Sequence, residues 1–523
     1  MLHSSAERAP LLADRSPNRR QRVLEILASA AVACALTTSA ARSSSFAPAA
    51  APRLSSEAPQ TPLCAQQQQQ QLDLGSGGSS RRRARGYGDG PIGTAIAAWE
   101  RAVARAGGVT PHDLSQHVAM LERVHLPRLR ERNRAALRNC TCANASECEQ
   151  LRTAPPAREL TGYGSGYDWA VLRDRRPRVS SLVLGAYSDS GWSAAMVCDA
   201  HARGTRVLLD SPSELGQWHH PVTGAGLFAN VSYTTAWVAD IIDVVQTHYA
   251  DGFNIDMEDK FPRTYDSGVA TRFSALLALV GATLHAARPG ARAGAAVAWS
   301  PDAIDVRPYD YRGLAFGVDY LYVMAYSIQS QIFARCVACG NTYTQTAYGL
   351  QQFGALGIPM DRLVLGTSWG GNAWPCRNFD GANAASLRYC ELPFVGGDGY
   401  RGVNCSDAVS SACGDLQTCW GLLAQSSTGR LWDDWVRLPY FNYVDPADNA
   451  TLYQVWYEDA ESLKHKYRLA RDMNLSGIGP WSFGKLNYSD TVAADLIWDT
   501  FCEFVGCDDP PTRSSPAANA SRR

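Results

Sequence analysis

The chain has 523 residues, a formal net charge of -1 and a hydrophobic content of 46%. This length exceeds that of one minimal domain and accommodates one large α/β barrel with additional segments. The near-neutral charge argues against nucleic-acid binding and against electrostatic capture by a membrane. The hydrophobic content is typical of a packed globular protein.

The N-terminal residues predict entry into the secretory pathway. A basic tail at 1–22 precedes an apolar stretch at 23–41, which is near the upper length for a signal peptide and short for a full membrane span. Two interpretations stay open: a cleaved signal peptide, or an uncleaved anchor that would make this a type II membrane protein. Residues 7–12 resemble an acidic dileucine sorting signal and favour the anchor. The predicted destination is the lysosome or the extracellular space.

The next two segments differ in composition. Residues 42–90 are low in complexity, with few large apolar side chains, and predict a disordered linker. Residues 91–139 predict a helical segment, with apolar positions such as Ile96, Trp99 and Val103. At the other end of the chain, residues 508–523 predict a disordered tail.

Cysteine and asparagine usage also indicates an oxidising compartment. The chain has 15 cysteines, and Cys336-x-x-Cys339 has no obvious second pair to complete a zinc site. Disulfides are therefore favoured over zinc. Eight Asn-x-Ser/Thr motifs predict N-glycosylation. The acceptors are Asn139, Asn144, Asn230, Asn404, Asn449, Asn474, Asn487 and Asn519.

From about residue 158, short apolar runs alternate with helical stretches. The candidate strands are 158–164, 180–187, 205–210, 252–258, 292–300, 318–326, 362–369 and 475–481. Eight strands with intervening helices predict a closed (β/α)8 TIM barrel, assigned to residues 140–507. The long interval at 371–455 carries five cysteines and predicts a functional insertion between the seventh and eighth barrel strands.

The fourth candidate strand contains the candidate catalytic residues. In the sequence Asp-Gly-Phe-Asn-Ile-Asp-Met-Glu at 251–258, the apolar side chains alternate with Asn254, Asp256 and Glu258. Alternation puts these three polar side chains on one face of a strand. Glu258 comes last, at the carboxyl end, where barrel enzymes keep their active sites. Two close carboxylates raise one pKa, which keeps an acid protonated near neutral pH.

This strand resembles the Asp-x-x-Asp-x-Asp-x-Glu signature of glycoside hydrolase family 18, the chitinases and their relatives. Asn254 stands where chitinases have the second Asp, as in the chitobiase-type members. The likeness runs from about Cys140 to about Phe501. Further matching segments are 297–301, 323–326, 329–332, 439–443, 454–457 and 477–481.

The resemblance implies substrate-assisted hydrolysis with retention and without a metal or other cofactor. Glu258 would protonate the leaving oxygen and later activate water. Asp256 would orient the substrate's acetamido group, and Tyr326 would donate a hydrogen bond to the acetamido oxygen. Asp251 and Asn254 would hold Asp256 in place. The substrate-binding residues implied are Trp481, which would form the apolar floor, with Trp299, Met324, Gln329 and Trp369.

The resemblance has departures, and alternatives follow from them. Ser327 stands where family members usually have Asp after the tyrosine, and 368–371 lacks a tyrosine of the cleft wall. The favoured function is hydrolysis of β-linked N-acetylglucosamine in chitobiose-type or N-glycan-derived oligosaccharides. The alternatives are a chitinase, an endo-N-acetylglucosaminidase, or an inactive chitin- or glycan-binding lectin. Retention of Glu258 favours an enzyme. The sequence predicts no oligomeric state.

Overall fold

The computed structural model describes residues 86–110, 113–149, 151, 155–185, 191–210, 228–261, 268–304, 307–326, 328, 340–392 and 413–507. These residues belong to one compact unit, Arg82–Arg523. The predicted signal or anchor segment, nearly all of the linker and the C-terminal tail lie outside the described residues. So do Ser327, Gln329, Asn404 and Asn519.

Eight parallel strands close into a barrel. The strands, in chain order, are β1 (Glu159–Gly164), β2 (Ser181–Leu184), β3 (Arg206–Asp210), β4 (Gly252–Ile255), β5 (Arg292–Ala298), β6 (Tyr320–Met324), β7 (Leu363–Ser368), β8 (Gly371–Pro375), β9 (Leu431–Asp433), β10 (Leu438–Val444), β11 (Leu452–Tyr457) and β12 (Gly477–Trp481). The barrel order is β1-β12-β7-β6-β5-β4-β3-β2. Each barrel strand overlaps one of the eight predicted strands, so the predicted TIM barrel is confirmed.

Helices form the outer layer of the barrel, and one short helix, at Leu416–Leu423, belongs to the insertion after the seventh barrel strand. They are α1 (Pro91–Arg105), α2 (Ser115–Met120), α3 (Leu126–Arg138), α4 (Trp169–Leu172), α5 (Ala194–Ala202), α6 (Val231–Thr247), α7 (Val269–Ala287), α8 (Tyr311–Gly317), α9 (Tyr343–Ala355), α10 (Leu416–Leu423), α11 (Ala460–Asp472), α12 (Thr491–Trp498) and α13 (Cys502–Val505). The N-terminal helices cover part of this layer: the Trp99 indole donates to the Gly313 carbonyl at 2.9 Å, and Arg130 donates to the Ala286 carbonyl at 3.0 Å.

Among the described helices, α7 has the length and composition that a membrane span would need. Its apolar window is 78% buried inside the protein. It contacts α1, α6 and α8. A largely apolar helix suits this position, because protein covers it on several sides.

The side chains of the barrel strands alternate between two cores. In β6, Leu321 and Val323 join the layer between the strands and the helices, whereas Tyr320, Tyr322 and Met324 fill the barrel interior. This is the period-2 alternation of a strand whose two faces are both buried. The interior positions nearest the strands' carboxyl ends therefore form the floor of the cleft.

The insertion between β7 and β12 folds as a four-stranded antiparallel sheet in the order β8-β11-β10-β9. Its core includes Trp374, Tyr440 and Trp456, and the last two rings stack with their centroids 4.4 Å apart. Disulfides Cys376–Cys390 and Cys413–Cys419 lie within it. The predicted cysteine-containing insertion is confirmed, and it leaves the barrel at the carboxyl end of β7.

Within the part of the chain that the structure describes, disulfides join ten cysteines. Besides the two pairs in the insertion, they are Cys140–Cys148, Cys142–Cys198 and Cys502–Cys507. This pairing confirms disulfides over zinc for those residues. Of the six described glycosylation acceptors, Asn487 is half-buried and the other five are exposed, which is compatible with glycan attachment.

Candidate active site

The segment after β4 brings two carboxylates to the mouth of the barrel. The sequence predicts a strand to Glu258, but β4 ends at Ile255. The neighbouring β3 ends at Asp210, which pairs with Asn254, so the backbone beyond Ile255 has no strand partner on that side. Asp256 and Glu258 therefore stand on irregular backbone at the carboxyl end of β4. Asp256 is half-buried and Glu258 is exposed.

Glu258 is held by an arginine from the segment after β5. Arg307 Nη2 donates to Glu258 Oε2 at 3.1 Å. The Arg307 side chain is 11% exposed and that of Glu258 is 50% exposed. The guanidinium thus fixes one carboxylate oxygen from the protein side while the carboxyl group stays accessible from the cleft.

Asp256 is the carboxyl group with the perturbed proton affinity. Burial raises its pKa to about 7, and the negative charge of Glu258 acts in the same direction, while Arg307 opposes both. The structure therefore assigns the raised pKa expected for two close carboxylates to Asp256. A carboxyl group with this pKa exchanges its proton near neutral pH, as acid-base chemistry requires.

Two aromatic side chains and a methionine complete the floor of the cleft. Tyr326 and Trp481 are partly buried against the interior cluster that contains Met324. The rings of Tyr326 and Trp481 are nearly parallel, with centroids 6.4 Å apart. Burial raises the pKa of Tyr326 well above its usual value, and Tyr322 and Asp256 add to the shift. The Tyr326 hydroxyl is therefore a hydrogen-bond donor at physiological pH.

Two further polar residues of this floor were missed by the sequence analysis. Tyr163 of β1 is 1% exposed. Its hydroxyl accepts a hydrogen bond from Asn254 Nδ2, and its ring meets Trp481 edge-on at 4.9 Å. Asp210 is the last residue of β3. An acidic residue at the carboxyl end of a barrel strand was the available signal, because the same rule identified Glu258.

Two predicted substrate-binding tryptophans point away from the cleft. Trp369 is 0% exposed and packs on Phe483, Trp498 and Phe501 in the outer layer. Trp299 is 2% exposed and belongs to the same outer core. In β7, Val364 faces the barrel interior, so strand alternation turns Trp369 to the helices. After β5, Trp299 lies with Val297 in the outer core. The expectation that they contact substrate is corrected.

Asp251 lies at the opposite end of the barrel from Asp256. It is fully buried before the first residue of β4. Its Oδ2 accepts from His201 Nε2 at 2.8 Å and from the Val207 amide at 2.8 Å. Its Oδ1 accepts from the Leu151 amide at 2.7 Å. Asp251 therefore ties the base of the barrel together, which corrects the expectation that it holds Asp256 in place.

Metal-binding potential among the described residues is limited to one cysteine region. The groups close enough to hold an ion comprise Cys140, Cys142, Cys148 and Cys198, together with Glu147. Those cysteines are paired in disulfides. Cysteine binds a metal ion through its thiolate, and a cysteine in a disulfide has no thiolate.

A TIM barrel that carries paired carboxylates and an aromatic floor at its mouth has the form of a glycosidase site. A model of the glycosyl hydrolases family 18 matches residues 215–485. The chain is 31% identical to di-N-acetylchitobiase of Homo sapiens, over 70% of this chain and 89% of that protein. It is also 31% identical to probable di-N-acetylchitobiase 2 of Dictyostelium discoideum, over 70% of this chain and 90% of that protein.

The fold has solved counterparts as well. A class V chitinase from Nicotiana tobaccum superimposes with a TM-score of 0.50 at 14% sequence identity, over 66% of this chain and 99% of that one. This likeness concerns the fold. The chain belongs to glycosyl hydrolase family 18 and is a glycosidase of that family.

Proposed function

We propose that this glycosidase cleaves β-linked N-acetylglucosamine in chitobiose-type or N-glycan-derived oligosaccharides, with the substrate's own acetamido group as the nucleophile. The observation that carries the proposal is the Asp256–Glu258 pair, which stands at the barrel mouth with Tyr326 and Trp481. The names of the relatives, which are similar to this chain over about nine tenths of their length, support the substrate class.

In the first step, Glu258 gives its proton to the glycosidic oxygen as the bond to the anomeric carbon breaks. The acetamido carbonyl oxygen forms the new bond to that carbon and produces an oxazolinium ion. Asp256 orients the acetamido group and stabilises its developing positive charge. The Tyr326 hydroxyl donates to the acetamido oxygen, and Trp481 provides an apolar surface under the sugar ring.

In the second step, Glu258 accepts a proton from water as the water oxygen attacks the anomeric carbon. The oxazolinium ring opens and restores the acetamido group. The configuration at the anomeric carbon is retained, since two displacements occur there. This scheme departs from the usual retaining glycosidases, in which a protein carboxylate is the nucleophile. Asp256 is half-buried whereas Glu258 is exposed, which suits an orienting role for Asp256 better than a nucleophilic one.

Hydrolysis assays on the full-length protein test the proposal, with Glu258→Gln as the matched variant. We expect release of N-acetylglucosamine from chitobiose or from a free N-glycan. Because the amide cannot transfer the proton, we expect the variant to lose about 1,000-fold in kcat, a typical scale for a general acid. Thermal unfolding of the variant should stay close to wild type, since the Glu258 side chain is 50% exposed.

Three outcomes would contradict the proposal. Binding of the oligosaccharides without release of sugar by the wild type would identify a lectin. Products from long chitin alone would identify a chitinase with a different chain-length requirement. Release of a whole glycan from a glycoprotein would identify an endo-acting enzyme.

We also propose that the protein passes through the secretory pathway to the lysosome or the cell exterior. The disulfides among the described residues and the exposed glycosylation acceptors support this route. A signal peptide and a type II anchor predict different mature N-termini. Mass spectrometry of the purified protein distinguishes them, since cleavage would remove residues up to about 41.

A further inference from the structure

Asp210 occupies the cleft floor beside Asn254. It ends β3 and pairs in register with Asn254 on β4. Leu208 of β3 belongs to the barrel interior and Leu209 to the outer layer, so alternation turns Asp210 to the interior. Its Oδ1 is fully buried. The carboxylate therefore lies at the same level as the Asn254 amide, one strand away.

Tyr163 links this pair to the cleft. Its hydroxyl oxygen accepts from Asn254 Nδ2, so the phenolic proton is available for donation to a different group. Burial raises the pKa of Tyr163 well above its usual value, and the nearby charges of Asp210 and Asp256 add to this effect. The Tyr163 hydroxyl is thus within electrostatic reach of both carboxylates and stays protonated.

The same carboxylate also acts on the second tyrosine of the floor. Asp256, Glu258 and Asp210 all contribute to the raised pKa of Tyr326. The charge of Asp210 therefore acts on both tyrosine hydroxyls of the cleft, whereas Asn254, as an amide, carries no charge at physiological pH. The family signature has a carboxylate at the position of Asn254. In this chain the carboxylate nearest to that position along the sheet is Asp210, on the neighbouring strand β3.

We propose that Asp210 is a positioning residue for the hydrolysis: it fixes the Tyr163 hydroxyl on the cleft floor and supplies, from β3, the carboxylate that β4 lacks at Asn254. This inference rests on the proposed function. Asp210 acts through Tyr163 on the orientation of the groups around Asp256, and it does not itself contact the bond that is cleaved.

A carboxylate exchange between the two strands tests the proposal. Asp210→Asn should lower kcat by about 10- to 100-fold, the range for a residue that orients a group of the active site. KM should change less than kcat, since the substrate contacts on Trp481 are unaltered. The double variant Asp210→Asn with Asn254→Asp returns a carboxylate to the same level. We expect it to recover about tenfold in kcat relative to Asp210→Asn alone.

A second cycle tests the route through Tyr163. Tyr163→Phe should mimic Asp210→Asn, and combining the two should cost no more than either alone, because both remove one hydrogen-bonded link. The matched control is Asp302→Asn, a half-buried carboxylate at the same end of the barrel that accepts from Ser300 Oγ at 2.7 Å. Its kcat should stay within about twofold of wild type, since its hydrogen bond to Ser300 lies within its own turn.

Two results would overturn the proposal: an Asp210→Asn variant with wild-type kcat, or an exchange variant no more active than Asp210→Asn alone while its thermal midpoint matches wild type. These differ from failure of the proposed function. That failure would appear as an inactive wild type, or as a wild-type rate that Glu258→Gln leaves unchanged.

Discussion

The two ends of the barrel treat buried carboxylates in opposite ways. At the amino ends of the strands, Asp251 is paired with His201 at 2.8 Å. Glu159 is paired there with Arg292 at 2.9 Å. At the carboxyl ends, Asp256 and Glu258 lie close enough for their charges to interact, and Arg307 donates to Glu258 at 3.1 Å. The first arrangement stabilises the barrel. The second raises the pKa of Asp256, as an acid-base reaction at this end would require.

Two aspartates show the contrast within one residue type. Burial would raise the pKa of Asp319, at the amino end of β6, but its hydrogen bond to His285 and the charge of that residue bring the pKa below its usual value. Burial likewise acts on Asp256, and there Glu258 reinforces it, so the pKa rises to about 7. The neighbouring charge thus decides the direction of the pKa shift: His285 lowers the pKa of Asp319, and Glu258 raises the pKa of Asp256.

The largest effect on stability is expected at the amino end. Asp251→Asn removes the charge from a fully buried carboxylate that accepts from His201 and two backbone amides. We expect a loss of about 3–5 kcal/mol in the free energy of unfolding, the range for breaking a buried ion pair. Chemical denaturation measures it. The folded variant should keep its kcat, because Asp251 lies far from the cleft.

Asp319→Asn is the matched control for that variant. It breaks a similar pair, Asp319 with His285, whose side chains are 31% and 41% exposed. Solvent compensates for a lost partner at such a site, so the loss of stability should be smaller. Equal losses of unfolding free energy in the two variants would contradict this explanation. A drop in kcat for Asp251→Asn would contradict a purely stabilising role for the amino end of the barrel.

An intermediate effect is expected for Tyr326→Phe. The variant keeps the ring against Trp481 but removes the hydroxyl that we propose donates to the acetamido oxygen. Removing one such donor costs about 100-fold in kcat. The comparison of kcat with KM on a chitobiose substrate measures this effect, and KM should change little. A variant with raised KM and normal kcat would show that the hydroxyl binds substrate without assisting the reaction.

The smallest effect is expected for Arg307→Gln, and it concerns pH dependence. Arg307 lowers the pKa of Asp256, so its removal should raise that pKa above about 7. If hydrolysis needs a proton on the Asp256–Glu258 pair, the alkaline limb of kcat/KM should move to higher pH. Arg312→Gln, which removes a guanidinium that donates to the Leu356 carbonyl, is the control and should leave the limb in place.

The same pKa gives a stability prediction of defined sign. Asp256 holds its proton to about pH 7 in the folded protein, whereas an unfolded Asp releases it near pH 4. Between these values the folded state binds more protons, so stability falls as pH rises. In Arg307→Gln this decline should extend to higher pH. If the pH range of this decline moves to lower pH in Arg307→Gln, the assignment of the raised pKa to Asp256 is wrong. Thermal midpoints measured across pH test this.

The strands and Glu258 were predictable because their signals are local. Each barrel strand is a short apolar run between helical stretches, and the polar alternation at Asn254, Asp256 and Glu258 is visible in the sequence. The faces of Trp299 and Trp369 were not predictable. The residues before them, in β5 and β7, are small or apolar at nearly every position, so no period-2 pattern marks the interior face.

The sequence by itself determined the barrel, the disulfide-forming use of its cysteines and the position of Glu258 at its mouth, since periodicity and motif order are properties of neighbouring residues. Only the tertiary structure decided that Asp251 serves the base of the barrel, that Arg307 holds Glu258, and that Tyr163 meets Asn254. These contacts join residues 44 to 100 positions apart in the chain, and 49 separate Arg307 from Glu258. They exist because closing the barrel fixes the register of all eight strands at once.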